Sequence, residues 1–147
     1  MELRFLTATE HACVAAAADR LIPPHAGHPG GAALGVADYV DTLLGAFTFD
    51  PPRIFAGGPF SGRFGGDAQF AQFHELAPLE ELAWRMRIEG SRGDPAREFN
   101  GPVRGWQEIY RDGLTALGAD FAQLDGAQQD ERLAAAPELR VLLAEHA

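Results

Sequence analysis

Histidines and carboxylates are the side chains in this sequence with the plainest capacity for chemistry. His25 and His28 lie close together, with Asp38 and Asp41 a short way downstream. Imidazole with carboxylate is a ligand set that suits zinc or iron, so His25 and His28 are the first metal candidates and His74 a weaker third. The first two fall in a Pro/Gly stretch that fixes no ligand geometry. His74-Glu75 lacks the second histidine of an HExxH helix. The expectation is therefore an exposed or partner-facing loop rather than a metal site. Asp38 and Asp41 also have the look of an acid/base pair, but three apart on one helix they would face the same way, and they read as a solvated face.

Other reactive groups point the same way. Cys13 is the single cysteine, in an Ala-rich helix with nothing nearby to lower its pKa, and reads as a buried, inert thiol. One cysteine excludes an intrachain disulfide, a cysteine-cluster zinc site and a cysteine-ligated iron–sulfur cluster built from this chain alone. The glycine pairs at 30–31, 57–58 and 65–66 match neither the dinucleotide fingerprint nor the phosphate-binding P-loop. No catalytic and no cofactor-binding residue is assigned.

The elements that must position these groups are helical. Thr7 with Glu10 is a capping box, starting a helix over about 8–21 that Pro23 and Pro24 stop. A loop over 23–35 follows. Val36, Tyr39, Val40, Leu43, Leu44 and Phe47 then recur at helical spacing, the clearest amphipathic stripe in the chain. The stretch 47–66 is rich in Phe, Pro and Gly and reads as a long irregular segment. Pro78 opens a third helix whose stripe is Leu79, Leu82, Ala83 and Met86, with Trp84 off its centre and Gly90 as the stop. A fourth begins near Pro102, its apolar face formed by Val103, Trp106, Ile109, Tyr110, Gly113, Leu114 and Leu117, and ends at Gly118. Asp125 with Gln128 caps a fifth through about Ala135, and Pro137 starts a last one. No alternating β-run is found. The expected fold is all-α, one compact domain over 1–147 with five or six helices and a long irregular Gly/Phe/Pro-rich segment.

Composition bounds the function. At 147 residues, with 46% hydrophobic and 22% charged, the chain is one ordinary globular domain, too short for a cofactor domain plus a substrate domain. Its net charge is -9 and all 12 basic residues are arginine, so no basic surface suits a nucleic-acid backbone. No run of about 18 apolar residues marks a membrane span. Neither a basic n-region nor a hydrophobic h-region opens the sequence, which as it stands is expected in the cytoplasm, or in the periplasm if a twin-arginine leader has been removed.

Taken in order, Leu6-Thr7 with Glu10, Ala18-Asp19-Arg20-Leu21-Ile22-Pro23, Pro29-Gly30-Gly31-Ala32 and Gly35-Val36-Ala37-Asp38-Tyr39-Val40-Asp41 resemble the N-terminal half of the gluconate 2-dehydrogenase subunit 3 family. Tyr110-Arg111 with Gly113-Leu114, Phe121 with Leu124, and Gln128-Gln129 with Leu133 resemble its C-terminal half. The resemblance implies a helical, non-catalytic small subunit that binds, stabilises and helps mature a large FAD-dependent dehydrogenase of the glucose–methanol–choline (GMC) class. FAD and the hydride chemistry would lie in that partner, with no cofactor in this chain. The sequence departs from the family pattern in showing no export signal and no Tyr-Gly-Gly-Asn or Gly-Trp tail. Contact with the partner is expected through the loop residues Pro23, His28, Pro29 and Gly30 and the aromatics Phe55, Phe60 and Phe64, since aromatics on an irregular segment favour an interface. The alternative is a free-standing helical metal protein or enzyme using its histidines.

Overall fold

Local chemistry sets the helix starts. In the computed structural model, which describes residues 2–50, 52, 54 and 76–147, the Thr7 hydroxyl accepts the Glu10 N–H at 3.2 Å and the Glu10 carboxylate accepts the Thr7 N–H at 2.8 Å, capping α1 (Ala8–Leu21). Asp125 and Gln128 cap α5 (Gly126–Ala134) in the same reciprocal way. Proline, which has no N–H to leave unpaired, occupies the first position of α3 (Pro78–Ile88) and of α6 (Pro137–His146). Gly35 precedes α2 (Val36–Leu44), and α4 (Trp106–Leu117) ends at Gly118. Short 3-10 turns lie at Ala46–Thr48 and Phe121–Gln123. The fold is all-α. Among the described residues the nearest thing to a strand is an isolated bridge between His25 and His28.

α1 is the central element, packed on α2 and touching α4, α5, α6 and the 3-10 turn at Phe121. Its Cys13, Val14, Ala17 and Ala18 are buried against Val40 and Leu44 of α2 and Tyr110, Leu114 and Leu117 of α4. Small side chains along α1 permit that many neighbours. Among the described residues Tyr110 and Phe121 are the largest wholly buried side chains; burying a ring the size of Phe121 contributes roughly 1.5–3 kcal/mol. A second, smaller cluster joins Ala46, Ile54 and Ile88, with Trp84 and Trp106 against it.

Three sequence expectations are corrected. Helical spacing puts Leu79, Leu82, Ala83 and Met86 inward on α3, but Leu79, Leu82 and Ala83 are exposed, and the face turned to the protein carries Trp84 and Ile88. Two aromatic or branched side chains outweigh the stripe because Trp84 meets Trp106 edge-on at 6.3 Å. α4 begins at Trp106 rather than near Pro102. Val103 is held in a non-helical link with Ser91, donating its N–H to the Ser91 Oγ at 2.8 Å and accepting the Ser91 N–H at 2.9 Å. Val103 itself is exposed.

The third correction concerns Asp41, which is 1% exposed rather than solvated. Its carboxylate accepts the N–H groups of Arg4 (2.8 Å), Phe5 (2.9 Å) and Leu6 (2.8 Å), so the chain before α1 is laid across α2. Asp38 does face outward and pairs with His11 at 2.7 Å. Removing the Asp41 acceptor orphans three backbone donors, each costing about 1–3 kcal/mol where buried. Asp41→Ala should therefore lower unfolding free energy by about 3–5 kcal/mol, and Asp41→Asn, which keeps shape but offers one acceptor oxygen, by about half that. Urea denaturation followed by far-UV circular dichroism measures both; a loss under about 1 kcal/mol for Asp41→Ala would contradict the clamp.

Candidate functional site

The loop after α1 is built as a rigid prong. Gly31 donates to Ile22 O at 2.9 Å, and Ala32 donates to the Asp19 carboxylate at 2.9 Å, which pins the return strand of the loop to the end of α1. A side chain at Gly31 would put Cβ 2.6 Å from Ala18 O, so only glycine lets the two backbones meet. Gly30 is buried against Asp19 and Pro24. Beyond this base, His25 and His28 exchange backbone hydrogen bonds of 3.2 and 2.8 Å across a turn at Gly27 (φ 81°). Their rings lie 4.6 Å apart, and Pro23, His25, His28 and Pro29 are all exposed.

The metal set considered from sequence is not assembled. Asp41 is occupied by three backbone donors and Asp38 by His11, so neither carboxylate joins His25 and His28. Among the described residues no group of three or more His, Cys, Asp or Glu could hold a metal ion. His74, Phe55, Phe60 and Phe64 lie outside the described residues. Cys13 is 2% exposed, and burial pushes its thiol pKa up, the condition of an inert structural thiol.

One titratable pair escaped the sequence reading. His146, near the end of α6, shares a 2.9 Å hydrogen bond between its Nδ1 and the hydroxyl of Tyr110, and Trp106 meets the imidazole edge-on at 4.8 Å. Burial lowers the His146 pKa to about 4 and raises that of Tyr110. A shifted His–Tyr pair would suit proton transfer if a substrate could reach it. Tyr110 is wholly buried in the main core, however, so the pair works as a polar fastening between α4 and α6. Residues 36 apart carry no sequence signal of such a bond.

A second polar joint lies across the N-terminal segment. Arg111 on α4 donates to the Phe5 carbonyl at 2.7 Å, pairs with Glu10, and stacks its guanidinium 4.2 Å from the Phe5 ring centroid. Burial raises the Glu10 pKa, but the Thr7 N–H and Arg111 more than offset it, and the net shift is downward. The buried polar side chains of the described residues thus serve the protein's own backbone, and none is left without a hydrogen-bond partner. No described helix is long and apolar enough to cross a membrane.

These features define a small all-helical protein held together by side chains that cap and clamp its own main chain. Over residues 8–141 it matches the family described as gluconate 2-dehydrogenase subunit 3, and the chain belongs to that family. No curated protein and no solved structure matches it. The matched span contains the Asp19–Ala32 joint, Asp41, Arg111 and the capping residue Gln128, so several residues that carry the resemblance are the fold's fastenings.

The His146 pKa has a pH consequence with a definite sign. Its folded value, about 4, lies below the unfolded value near 6.5. As pH falls from about 6.5 toward 4 the unfolded chain takes up a proton that the folded chain does not, and stability is lost. The carboxylates with lowered pKa, Glu10, Asp120 and Asp130, add their own loss only below their ordinary range. Stability should fall by about 2 kcal/mol between pH 7 and pH 5. His146→Gln, which keeps a partner for Tyr110, should flatten this slope in urea titrations at the two pH values; equal slopes would place the sensitive group elsewhere.

Proposed function

We propose that this chain is a non-catalytic small subunit that binds, stabilises and helps mature an FAD-dependent GMC-type sugar or alcohol dehydrogenase. FAD and hydride transfer belong to the large catalytic subunit. The observation that carries this reading is membership of a dehydrogenase-subunit family over nearly the whole chain. Two structural features support it. Among the described residues, buried Asp41 and Tyr110 are engaged in clamping the fold, which leaves them unsuited to turnover. The loop 23–29 is a preorganised projection, and a rigid projection loses little conformational freedom when a partner closes on it.

Co-expression with a GMC-type flavoprotein subunit from the same genome, followed by affinity purification through a tag on this chain, tests the proposal. A yellow eluate containing both chains, with large-subunit solubility or flavin content falling when this chain is omitted, is the expected result. His28→Glu with Pro29→Gly should cut recovery of the complex at least tenfold without loss of helix content, since it alters only the exposed tip of the prong. A colourless chain eluting alone, beside soluble flavoprotein in the lysate, would overturn the proposal.

A further inference from the structure

Six large hydrophobic side chains are exposed among the described residues, and four of them, Leu79, Leu82, Phe99 and Val103, lie on α3 and the loop that follows it. Leu79 is 78% exposed and Phe99 88%. On α3, Leu79, Leu82, Ala83 and Met86 form one ridge at helical spacing, opposite the face where Trp84 and Ile88 join the smaller core cluster. Leu82, Met86, Pro95, Phe99 and Val103 line a shallow groove between helix and loop. A surface helix ordinarily turns a polar face to water, so a helix apolar on both faces has two packing surfaces and uses only one of them within the described residues.

The loop holds this surface open by design of its bonds. Buried Ser91 donates to Glu98 at 2.9 Å and is tied twice to Val103, while the Glu98 carboxylate also accepts the Gly93 N–H at 3.0 Å. Asp94 accepts the Ala96 N–H at 3.0 Å and pairs with Arg97. Arg92 is the one described non-glycine residue with positive φ, at 51°, a conformation that persists only where surroundings over-determine it. Phe99 therefore projects from a bonded loop rather than a loose one.

Charge identifies the kind of partner. The chain has net charge -9, yet residues 78–104 carry five acids and five arginines and are neutral. Most of those charges neutralise one another: Arg85 bonds Glu81 and Glu89, and Arg97 bonds Glu89. Arg87, exposed beside the ridge, pairs with no carboxylate among the described residues and lies 4.9 Å over the Trp84 ring. An apolar ridge in a neutral surface, flanked by an exposed guanidinium, complements an apolar segment that carries an acidic side chain at its edge.

We propose that the face formed by Leu79, Leu82, Met86, Phe99 and Val103 is a docking surface for an apolar segment of the catalytic dehydrogenase subunit, with Arg87 pairing an Asp or Glu of that segment. This rests on the accessory-subunit reading and adds a second contact face to the prong.

The test uses the tagged full chain co-expressed with a GMC-type flavoprotein subunit from the same genome. Leu82→Glu with Met86→Glu should reduce recovered flavoprotein at least tenfold, while the isolated variant keeps the thermal midpoint and helix content of the parent. Arg87→Glu, a fully surface change, should reduce recovery several-fold and remove part of the salt sensitivity of binding. Wild-type recovery with both variants overturns the docking surface and leaves the accessory-subunit reading standing. A marked fall in the thermal midpoint of the isolated Leu82→Glu, Met86→Glu chain overturns it too, because the face would then be covered within the chain. So does an isolated parent chain that is dimeric by light scattering and becomes monomeric in the variant, the face then being occupied by a second copy. A parent chain that captures no flavoprotein overturns both readings together.

Discussion

The Asp41 carboxylate is the fastening on which the arrangement of the other parts depends. A carboxylate at that depth with no partners would cost several kcal/mol, so its burial is tolerable only while the N–H groups of residues 4–6 are aimed at it. That requirement fixes the path of the N-terminal segment over α2. The segment passes so close that a Cβ on Gly45 would lie 2.5 Å from the Cβ of Arg4. Leu6 is thereby delivered to the main core, and the Phe5 carbonyl and ring to Arg111 on α4. Arg111 in turn reaches Glu10, which caps α1. One carboxylate and one guanidinium thus register α1, α2 and α4 against a segment with no regular structure of its own.

The loop after α1 follows the same logic on a smaller scale. Asp19 bonds the Ala32 N–H and Gly31 lies against Ala18, so the two halves of the Ala18–Ala32 span determine each other. Surface ion pairs contribute far less. Arg20 with Asp130 and Arg104 with Asp112 join solvent-exposed side chains, and such pairs are worth about 0–1 kcal/mol each. Specificity in this fold comes from side chains that bond backbone, because a backbone donor has a fixed place and a long exposed side chain does not.

Much of the fold is legible in the sequence because its signals are local. Thr7 with Glu10 and Asp125 with Gln128 place two helix starts, and Pro78 and Pro137 place two more. Periodicity places the buried faces of α2 and α4, where apolar residues recur over several turns against polar ones. What was illegible is what depends on distant partners. Asp41 reads as a solvated residue because three main-chain donors have no sequence signature. Spacing alone extends α4 to Pro102, since nothing local reports that Ser91 captures Val103. On α3 two apolar faces compete, and the stripe with more members loses to the one whose Trp84 finds Trp106. The prong's tip is visible as a Pro/Gly/His loop, but its rigidity comes from Asp19 and Ile22, and the ridge on α3 is invisible until the opposite face is known to be the buried one.

That outcome on α3 separates two kinds of apolar residue in this chain. The buried ones of α1, α2, α4 and α6 are accounted for by the core they form, and substituting any of them would be felt as lost packing. Leu79 and Phe99 contribute almost none of that packing, and the chain holds Phe99 out on a loop bonded through Ser91 and Glu98 and bent through an unfavourable Arg92. Leaving such side chains in water forgoes the stabilisation that burial would supply, roughly 1.5–3 kcal/mol for each large one. Marginal stability makes that a sizeable sacrifice for a 147-residue chain. A subunit whose folded form is completed by another chain recovers the same contribution at the interface, and its stability then becomes linked to the partner's presence by mass action. On the proposed reading the coupling is reciprocal: the partner that covers α3 is stabilised by the same contacts, which is the physical content of maturation by a small subunit with no chemistry of its own.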